Sequence, residues 1–349
     1  MSRTISQRIL GAFHRRTNTR PVSRGAIRGG RGPQAWAVSH GARFGIQDCF
    51  GSTHIGLVRE NNEDQFLIAD LKRGTAIRHS IPDAEAPEAL QQEPMDAQAM
   101  CQADLLLVAD GVGGNAGGEL ASKFAVEGIV EFLQVHSRRL FEGKQPNPVQ
   151  IRETLAAALA WAQQRIRYQA QSSPEHDRMG TTVTMAYLVG PTAYIAHVGD
   201  SRAYLYREGE LFQLTHDQTI AQMLADAGAI EPELVADHPY RNVLGSVLSP
   251  DPRQLKPSVF QRRLIPGDQL LLCTDGLTKH VRPSKIAQIL ALADGAADAC
   301  RELIATANAA GGTDNITVVL AHFGPPASKE EAPLCLAAAL DSEIHLAMA

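Results

Sequence analysis

Residues 105–111 have the sequence Leu-Leu-Leu-Val-Ala-Asp-Gly, an apolar run that ends in an aspartate and a glycine. A short, continuous apolar run bounded by a turn signal is typical of a buried strand. Such a strand delivers one carboxylate, Asp110, to the rim of a sheet, and the glycine allows close approach to the backbone. One Asp-Gly pair is ordinary turn chemistry, so its meaning depends on the rest of the chain.

The acidic pattern returns at three other places. They are residues 59–64 (Arg-Glu-Asn-Asn-Glu-Asp), residues 273–276 (Cys-Thr-Asp-Gly) and residues 312–315 (Gly-Thr-Asp-Asn). Each place puts carboxylates at or beside the end of an apolar run. We expect the carboxylates to converge on hard cations, because Mg²⁺ and Mn²⁺ prefer oxygen ligands and suit carboxylates with retained waters.

Composition excludes several classes of protein. The chain has 349 residues, of which 44% are hydrophobic and 20% charged, as in a soluble globular protein with an ample core. No stretch approaches the ~20 apolar residues that cross a bilayer, so we expect no membrane association. The net charge is −5 although residues 1–43 contain nine arginines and no acidic residue, so the rest of the chain is strongly acidic. An acidic body argues against a nucleic-acid binder.

Five scattered cysteines form no Cys-x-x-Cys pair. This usage indicates a reducing compartment and excludes zinc-ribbon spacing, so we expect a cytoplasmic protein. Cys273 and Cys300 are expected to be buried packing residues. Residues 1–42 are predicted to be a disordered basic tail, with an organellar transit peptide or an upstream start codon as the alternatives.

The hydrophobic pattern predicts one α+β domain over residues 43–323, a four-layer α-β-β-α sandwich with two central, mostly antiparallel sheets. Residues 180–214 are expected to form an antiparallel meander. Residues 72–103 are interpreted as an insertion, and residues 324–349 as a C-terminal tail with a weak helix at 334–348. Strands are predicted at residues 43–49, 65–69, 105–109, 181–188, 193–198, 203–207, 211–214, 258–264, 268–273 and 315–321, and helices at 117–135, 150–170, 220–227, 283–292 and 295–309.

Taken in order, the motifs resemble those of the metal-dependent serine/threonine phosphatases of the PP2C type, particularly the bacterial branch. The resemblance covers about residues 43–323, and its strength comes from six motifs in family order. The motifs are Arg59-x-x-Asn62-Glu63-Asp64, Ala109-Asp110-Gly111-Val112-Gly113-Gly114, Gly180-Thr181-Thr182, His197-Val198-Gly199-Asp200-Ser201-Arg202, Asp275-Gly276-Leu277 and Asp314-Asn315-Ile316-Thr317.

The resemblance implies a phosphate-monoester hydrolase with two Mn²⁺ or Mg²⁺ ions between two sheets. It implies that Asp64 and Asp110 lie at the centre, with Asp110 bridging the metals, and that Gly111 contributes its carbonyl oxygen. Asp275 and Asp314 would complete the ligand set of one metal. Paired cations lower the pKa of bound water and neutralise charge that develops on a phosphate.

Three further residues take roles from the same resemblance. Glu63 would hold metal-bound water, and Asp200 would help Asp275 to bind a third, weaker metal. Arg59 would bind the substrate phosphate, for which its planar guanidinium is suited. An isolated arginine more often forms a surface salt bridge, and the surrounding motif is what favours the phosphate role.

One position departs from many eukaryotic members of that family. They have a histidine after the Asp-Gly pair, assigned as the general acid, and this chain has Val112. The proton donor to the leaving group therefore stays open. Residues 217–250 match the variable flap beside the active site of bacterial relatives, and Arg241 and Asn242 are expected either to touch substrate or to stabilise a turn.

We expect a monomer that acts on phosphorylated proteins. A small-molecule phosphatase and a pseudophosphatase that uses the fold for binding are the alternatives. The presence of Asp64, Asp110, Asp275 and Asp314 together argues against the pseudophosphatase, because clustered buried charge is costly without a counter-ion.

Overall fold

The structure is a computed structural model that describes residues 44–71, 75–78, 103–113, 117–140, 147–171 and 177–325. The predicted N-terminal tail and the predicted helix at 334–348 lie outside the described residues, as does most of the predicted insertion at 72–103. No helix in the described ranges is long and apolar enough to cross a membrane.

The strands form two large sheets and one two-stranded ribbon, and every pairing between neighbours is antiparallel. The strands are β1 (Gly45–His54), β2 (Gln65–Asp70), β3 (Thr75–Arg78), β4 (Leu105–Ala109), β5 (Gly111–Val112), β6 (Gly180–Thr181), β7 (Val183–Val189), β8 (Thr192–Val198), β9 (Arg202–Arg207), β10 (Glu210–Gln213), β11 (Ser258–Arg263), β12 (Gln269–Cys273) and β13 (Ile316–Gly324). The six-stranded sheet has the order β11-β8-β7-β4-β2-β3, the five-stranded sheet has the order β1-β13-β12-β9-β10, and β5 pairs with β6.

The described residues contain six helices, of which the four longest cover the outer faces of the two large sheets. They are α1 (Gly117–Leu140), α2 (Pro148–Ala170), α3 (Ile220–Asp226), α4 (Asp275–Thr278), α5 (Pro283–Leu292) and α6 (Ala296–Ala309). Helices α1 and α2 pack on each other and on the six-stranded sheet, whereas α5 and α6 lie against the five-stranded sheet. Short 3₁₀ turns occur at Pro232–Leu234 and Pro252–Gln254.

Successive side chains along β4 and β12 pack into different layers of the hydrophobic core. Leu105 and Leu107 pack against α1 and α2, whereas Leu106 and Val108 face the other sheet. Leu270 and Leu272 join that central core, and Leu271 packs toward α5 and α6. Because successive side chains of a strand point to opposite faces, an apolar run can serve two cores at once. The predicted α-β-β-α sandwich is therefore confirmed, as is the burial of Cys273 and Cys300.

The predicted meander over residues 180–214 is wrong. Strands β7 and β8 pair in one sheet and β9 and β10 in the other, so the chain crosses between sheets after β8. Gly199 makes the crossing with a φ of 107°, a conformation that glycine adopts without strain. Asp200 follows Gly199 directly at the crossing and is buried there. Within the predicted insertion at 72–103, Thr75–Arg78 forms the edge strand β3, which pairs with β2.

Candidate active site

Two pairs of aspartates lie at matching edges of the two sheets. Asp64 precedes β2 and Asp110 follows β4, and these neighbours pair Gln65 with Ala109. Asp275 follows β12 and Asp314 lies just before β13, which also pair antiparallel. Since antiparallel neighbours bring the start of one strand beside the end of the other, each pair of carboxylates shares one sheet edge.

Asp64 joins the two sheets. Its Oδ2 accepts hydrogen bonds from the hydroxyl groups of Thr274 at 2.8 Å and Thr317 at 2.7 Å. Its Oδ1 is buried and has no hydrogen-bond partner. Burial raises the pKa of Asp64 to about 7, assisted by the charges of Asp275 and Asp314, although the two hydroxyl bonds lower it. A buried carboxylate oxygen without a donor is what a bound cation would satisfy.

The backbone around Asp110 is tightly fixed. Its N–H donates to the hydroxyl of Thr182 at 3.1 Å, and its carbonyl accepts from the Thr181 hydroxyl at 2.9 Å. A Cβ at the next position, Gly111, would collide with the carbonyl oxygens of Gly118 and Glu63, so this position requires glycine. Burial raises the pKa of Asp110 well above its usual value, and the charges of Asp64 and Asp275 add to the effect.

Asn315 ties the loop that carries Glu63 to β13. Its side-chain oxygen accepts the Glu63 N–H at 2.9 Å, and its amide group donates to the carbonyls of Ile55 and Asn61, both at 2.9 Å. Burial raises the pKa of Glu63, and the charge of Arg59 lowers it. Sequence reasoning treated Asn315 only as part of a motif. Its place next to Asp314 was the signal for a positioning role.

Lys279 lies between Asp275 and Asp314. Its ammonium is 2.6 Å from Oδ2 of Asp275 and 2.6 Å from Oδ2 of Asp314. Burial acts to raise the pKa of Asp314, but the hydrogen bond and charge of Lys279, with the charge of Arg59, lower it. Burial raises the pKa of Asp275 even though Lys279 opposes this. Sequence reasoning missed Lys279, and the signal was its spacing of four residues from Asp275, which places both on one helical face.

Arg59 approaches Asp314 from the other side. Its guanidinium is 2.7 Å from Oδ1 of Asp314, and its side chain is half exposed. The structure therefore places Arg59 at the acidic group, with an ion-pair partner that belongs to the group. Burial acts to lower the pKa of Arg59, but Asp314 outweighs burial and the pKa is raised.

Asp200 belongs to the same group of carboxylates. It is buried, and burial raises its pKa to about 8, with further contributions from the charges of Asp275 and Asp217. The flap is anchored beside it, because the backbone N–H of Gln218 donates to the carbonyl of Gly199 at 2.7 Å. Leu248, near the end of the flap, pairs with Thr181 of β6. The predicted flap thus begins and ends next to Asp110 and Asp200.

The described residues contain no group of three or more His, Cys, Asp or Glu side chains already gathered as ligands around one point. Lys279 and Arg59 each contact one carboxylate oxygen of Asp314. The residues nevertheless fit a pair of hard cations, because Oδ1 of Asp64 and Oδ1 of Asp275 are buried without a hydrogen-bond partner. Oxygen-only ligand sets suit Mg²⁺ and Mn²⁺.

Comparison with known proteins agrees with this geometry. The profile of the family described as protein phosphatase 2C matches residues 88–320. The serine/threonine protein phosphatase PstP of Mycobacterium tuberculosis is 35% identical over 219 residues, which are 63% of this chain and 40% of PstP. The protein phosphatase PhpP of Streptococcus pneumoniae is 34% identical over 217 residues, 62% of this chain and 84% of PhpP.

A solved structure shows the same fold. The crystal structure of the PstP catalytic domain in complex with two manganese ions is 30% identical and superposes with a TM-score of 0.59, covering 80% of this chain and 99% of that one. The fold and the family match together define a domain of the two-sheet class to which these relatives belong. The chain belongs to the protein phosphatase 2C family.

Proposed function

We propose that this protein hydrolyses phosphoserine and phosphothreonine in proteins with the help of two bound Mn²⁺ or Mg²⁺ ions. The observation that carries the proposal is the convergence of Asp64, Asp110, Asp275 and Asp314 at facing sheet edges, with buried carboxylate oxygens that lack donors. Clustered carboxylates are costly in the folded chain alone, and divalent cations would compensate them. Relatives named as serine/threonine phosphatases support the substrate class.

We assign the ligands as the family resemblance implies, and the clustering of their side chains supports this assignment. Asp64 and Asp110 would hold the central pair of cations, with the carbonyl oxygen of Gly111 beside them. Asp275 and Asp314 would complete the shell of one cation, and Glu63 would orient its water. When bound, the cations would supply a nucleophilic water at neutral pH and neutralise charge on the phosphate.

The chain's own residues perform the remaining tasks. Arg59 would bind the phosphate dianion, since its half-exposed guanidinium can exchange one oxygen of Asp314 for two oxygens of phosphate. Asp200 and Asp275 would hold a third, weaker cation. Thr181 and Thr182 fix the backbone of Asp110 and so keep its carboxylate aligned. Val112 offers no proton for the leaving group.

We further propose that residues 43–323 form one catalytic domain, and that the protein acts as a cytoplasmic monomer on phosphoproteins. The free, buried cysteines Cys273 and Cys300 support a reducing compartment. The acidic composition beyond residue 43 supports protein rather than nucleic-acid substrates.

The test is hydrolysis of a phosphothreonine peptide by the full chain, with Mn²⁺ and then with excess chelator. We expect phosphate release that depends on Mn²⁺ and that prefers the phosphopeptide to small phosphate monoesters of metabolites. Turnover that survives complete chelation would rule out the metal mechanism. A higher kcat/KM on a metabolite than on the peptide would favour a small-molecule phosphatase instead.

A further inference from the structure

Lys279 is a charged side chain inside the candidate metal centre that the proposed mechanism does not use. It follows directly on the short helix α4, and its ammonium bridges the Oδ2 atoms of Asp275 and Asp314 at 2.6 Å each. These two carboxylates are the pair that would complete the shell of one cation. A lysine carries a full positive charge at neutral pH and offers no lone pair to a metal. It therefore competes with a metal ion and cannot act as its ligand.

We propose that the ammonium of Lys279 serves as the counter-ion of Asp275 and Asp314 in the metal-free centre. Lys279 must release these two carboxylates before a cation can bind to them. The inference rests on the proposed function, because it takes these two aspartates as ligands. It implies that the two metals bind with unequal affinity. The cation held mainly by Asp64 and Asp110 displaces no ion pair, whereas the cation at Asp275 and Asp314 displaces Lys279.

The position of Lys279 allows such a release. The side chain of Lys279 is 28% exposed, compared with 17% for Asp275, so the lysine lies on the solvent side of the two carboxylates. Its flexible four-carbon stem can carry the ammonium into solvent without movement of the backbone. Arg59 holds the other oxygen of Asp314 at 2.7 Å, so Asp314 keeps one cationic partner after Lys279 leaves.

The metal-free protein needs this counter-ion. Asp275 has a second carboxylate oxygen that is buried without a hydrogen-bond partner, and the Asp314 carboxylate lies against the same ammonium at 2.6 Å. Removal of Lys279 should therefore destabilise the metal-free protein and at the same time favour metal binding. A lysine with only a packing role would not produce effects of opposite sign in the two states.

The experiment measures Mn²⁺ binding to the full chain by isothermal titration calorimetry and by the electron paramagnetic resonance signal of free Mn²⁺, without substrate. Lys279→Met should lower the Kd for the cation at Asp275 and Asp314, the weaker of the two central sites, by about tenfold. This is the scale of one partly screened charge interaction. In chelator, the variant should have a lower Tm than wild type. On addition of Mn²⁺, its Tm should rise by more than that of wild type. Lys285→Met is the matched control, because Lys285 is an exposed lysine on the neighbouring helix α5. It should change none of these values.

An unchanged or raised Kd of the weaker site in Lys279→Met would overturn the inference and leave the proposed function standing. Absence of Mn²⁺ binding to the wild-type chain would overturn both. Should Lys279→Met not fold without metal, amine acetylation of the wild-type protein followed by mass spectrometry supplies the answer. Mn²⁺ should increase the labelling of Lys279 relative to Lys285, and equal labelling with and without Mn²⁺ would overturn the proposed release.

Discussion

The side-chain oxygen of Asn315 accepts a hydrogen bond from the backbone N–H of Glu63 at 2.9 Å, across 252 residues of chain. Asn315 is only 6% exposed, and its amide group also binds the carbonyls of Ile55 and Asn61. One side chain thus fixes the loop that carries Arg59, Glu63 and Asp64 to the strand beside Asp314. The two halves of the candidate metal centre are held in register by this contact.

Asn315→Ala should therefore weaken metal binding as well as the fold. It leaves three backbone groups without partners, which should lower the free energy of unfolding by about 2 kcal/mol or more. Loss of an outer-shell contact should raise the Kd for Mn²⁺ by about tenfold or more. Calorimetry and chemical denaturation measure the two effects. The control is Asn308→Ala, which loses a hydrogen bond to His54 at the end of β1 and should leave the Kd unchanged. Equal Kd changes in the two variants would contradict the positioning role.

Asp110→Asn and Asp275→Asn should nearly abolish turnover while the chain stays folded, because each removes a ligand charge. Asp110→Asn has a second expected effect in chelator. Burial and neighbouring charges raise the pKa of Asp110, so its ionised form destabilises the metal-free fold. The variant should have an equal or higher Tm than wild type without metal, and a smaller rise in Tm with Mn²⁺. Near-normal rates for both variants in saturating Mn²⁺ would contradict the ligand assignment.

Arg59→Ala should mainly raise the KM for a phosphopeptide, with a smaller fall in kcat. The reason is that the guanidinium would contribute to phosphate binding in the ground state and in the transition state alike. Steady-state kinetics over a range of peptide concentrations gives both constants. Arg253→Ala is the control, because Arg253 also pairs with an aspartate but lies at an exposed turn. A KM that matches wild type would assign Arg59 to structure alone.

His197 should make the fold sensitive to acid. It is fully buried, its ring contacts the Thr184 hydroxyl at 2.9 Å and the His216 carbonyl at 3.1 Å, and burial lowers its pKa to about 4. Because the unfolded chain has a higher pKa, near 6.5, acid protonates the unfolded state first. The neutral ring therefore contributes its full stability above pH 6.5, and this contribution is lost as the pH falls toward 4. The total decrease in the free energy of unfolding should be about 3 kcal/mol.

The measurement for His197 is urea unfolding at several pH values between 7 and 4, in chelator, for wild type and His197→Gln. The raised pKa values of Asp64 and Asp200 act in the opposite direction in both proteins, so the difference between the two curves isolates the histidine. The difference should shrink as the pH falls. Parallel curves would show that His197 does not titrate on unfolding.

Local patterns predicted the elements better than their partners. The apolar run at Leu105–Ala109 forms a strand with the predicted bounds, and the helix at Pro283–Leu292 also matches, since Pro283 can occupy the first turn of a helix. The predicted meander is wrong because the pairing partner of a strand depends on residues far away in the sequence. A turn at Gly199 looks the same in sequence whether the next strand returns to its own sheet or crosses to the other.

In the candidate site, too, local features could be predicted from the sequence and long-range contacts could not. Asp64, Asp110, Asp275 and Asp314 could be found from sequence because each ends or precedes an apolar strand. The contacts of Asn315 and Lys279 could not, because they depend on how two loops meet across the sandwich. The contacts of Thr274, which follows β12, and of Thr317 in β13 could not be found either, because threonine is common in and beside strands for packing reasons, and here both hydroxyl groups bind Asp64.

Asp200→Ala should spare the two tightly held metals but slow catalysis. Asp200 lies at the crossing between the sheets, close enough to Asp275 for their charges to raise each other's cost of ionisation. One or two carboxylates with several waters make a weak Mg²⁺ or Mn²⁺ site. Because Val112 has no proton to give, we expect Asp200 to help to hold a hydrated cation, which would supply the proton to the leaving group.

The choice of substrate tests this role of Asp200. A phosphoserine peptide has a poor leaving group that needs a proton, whereas an activated aryl phosphate leaves without one. In saturating Mn²⁺, the variant should lose more kcat on the peptide than on the aryl phosphate, while calorimetry should find the two tighter sites unchanged. Asp226→Ala is the control, because Asp226 lies on the exposed side of the flap, where it pairs with His216. Equal losses on the two substrates would separate Asp200 from proton transfer, and no loss on either would remove Asp200 from catalysis.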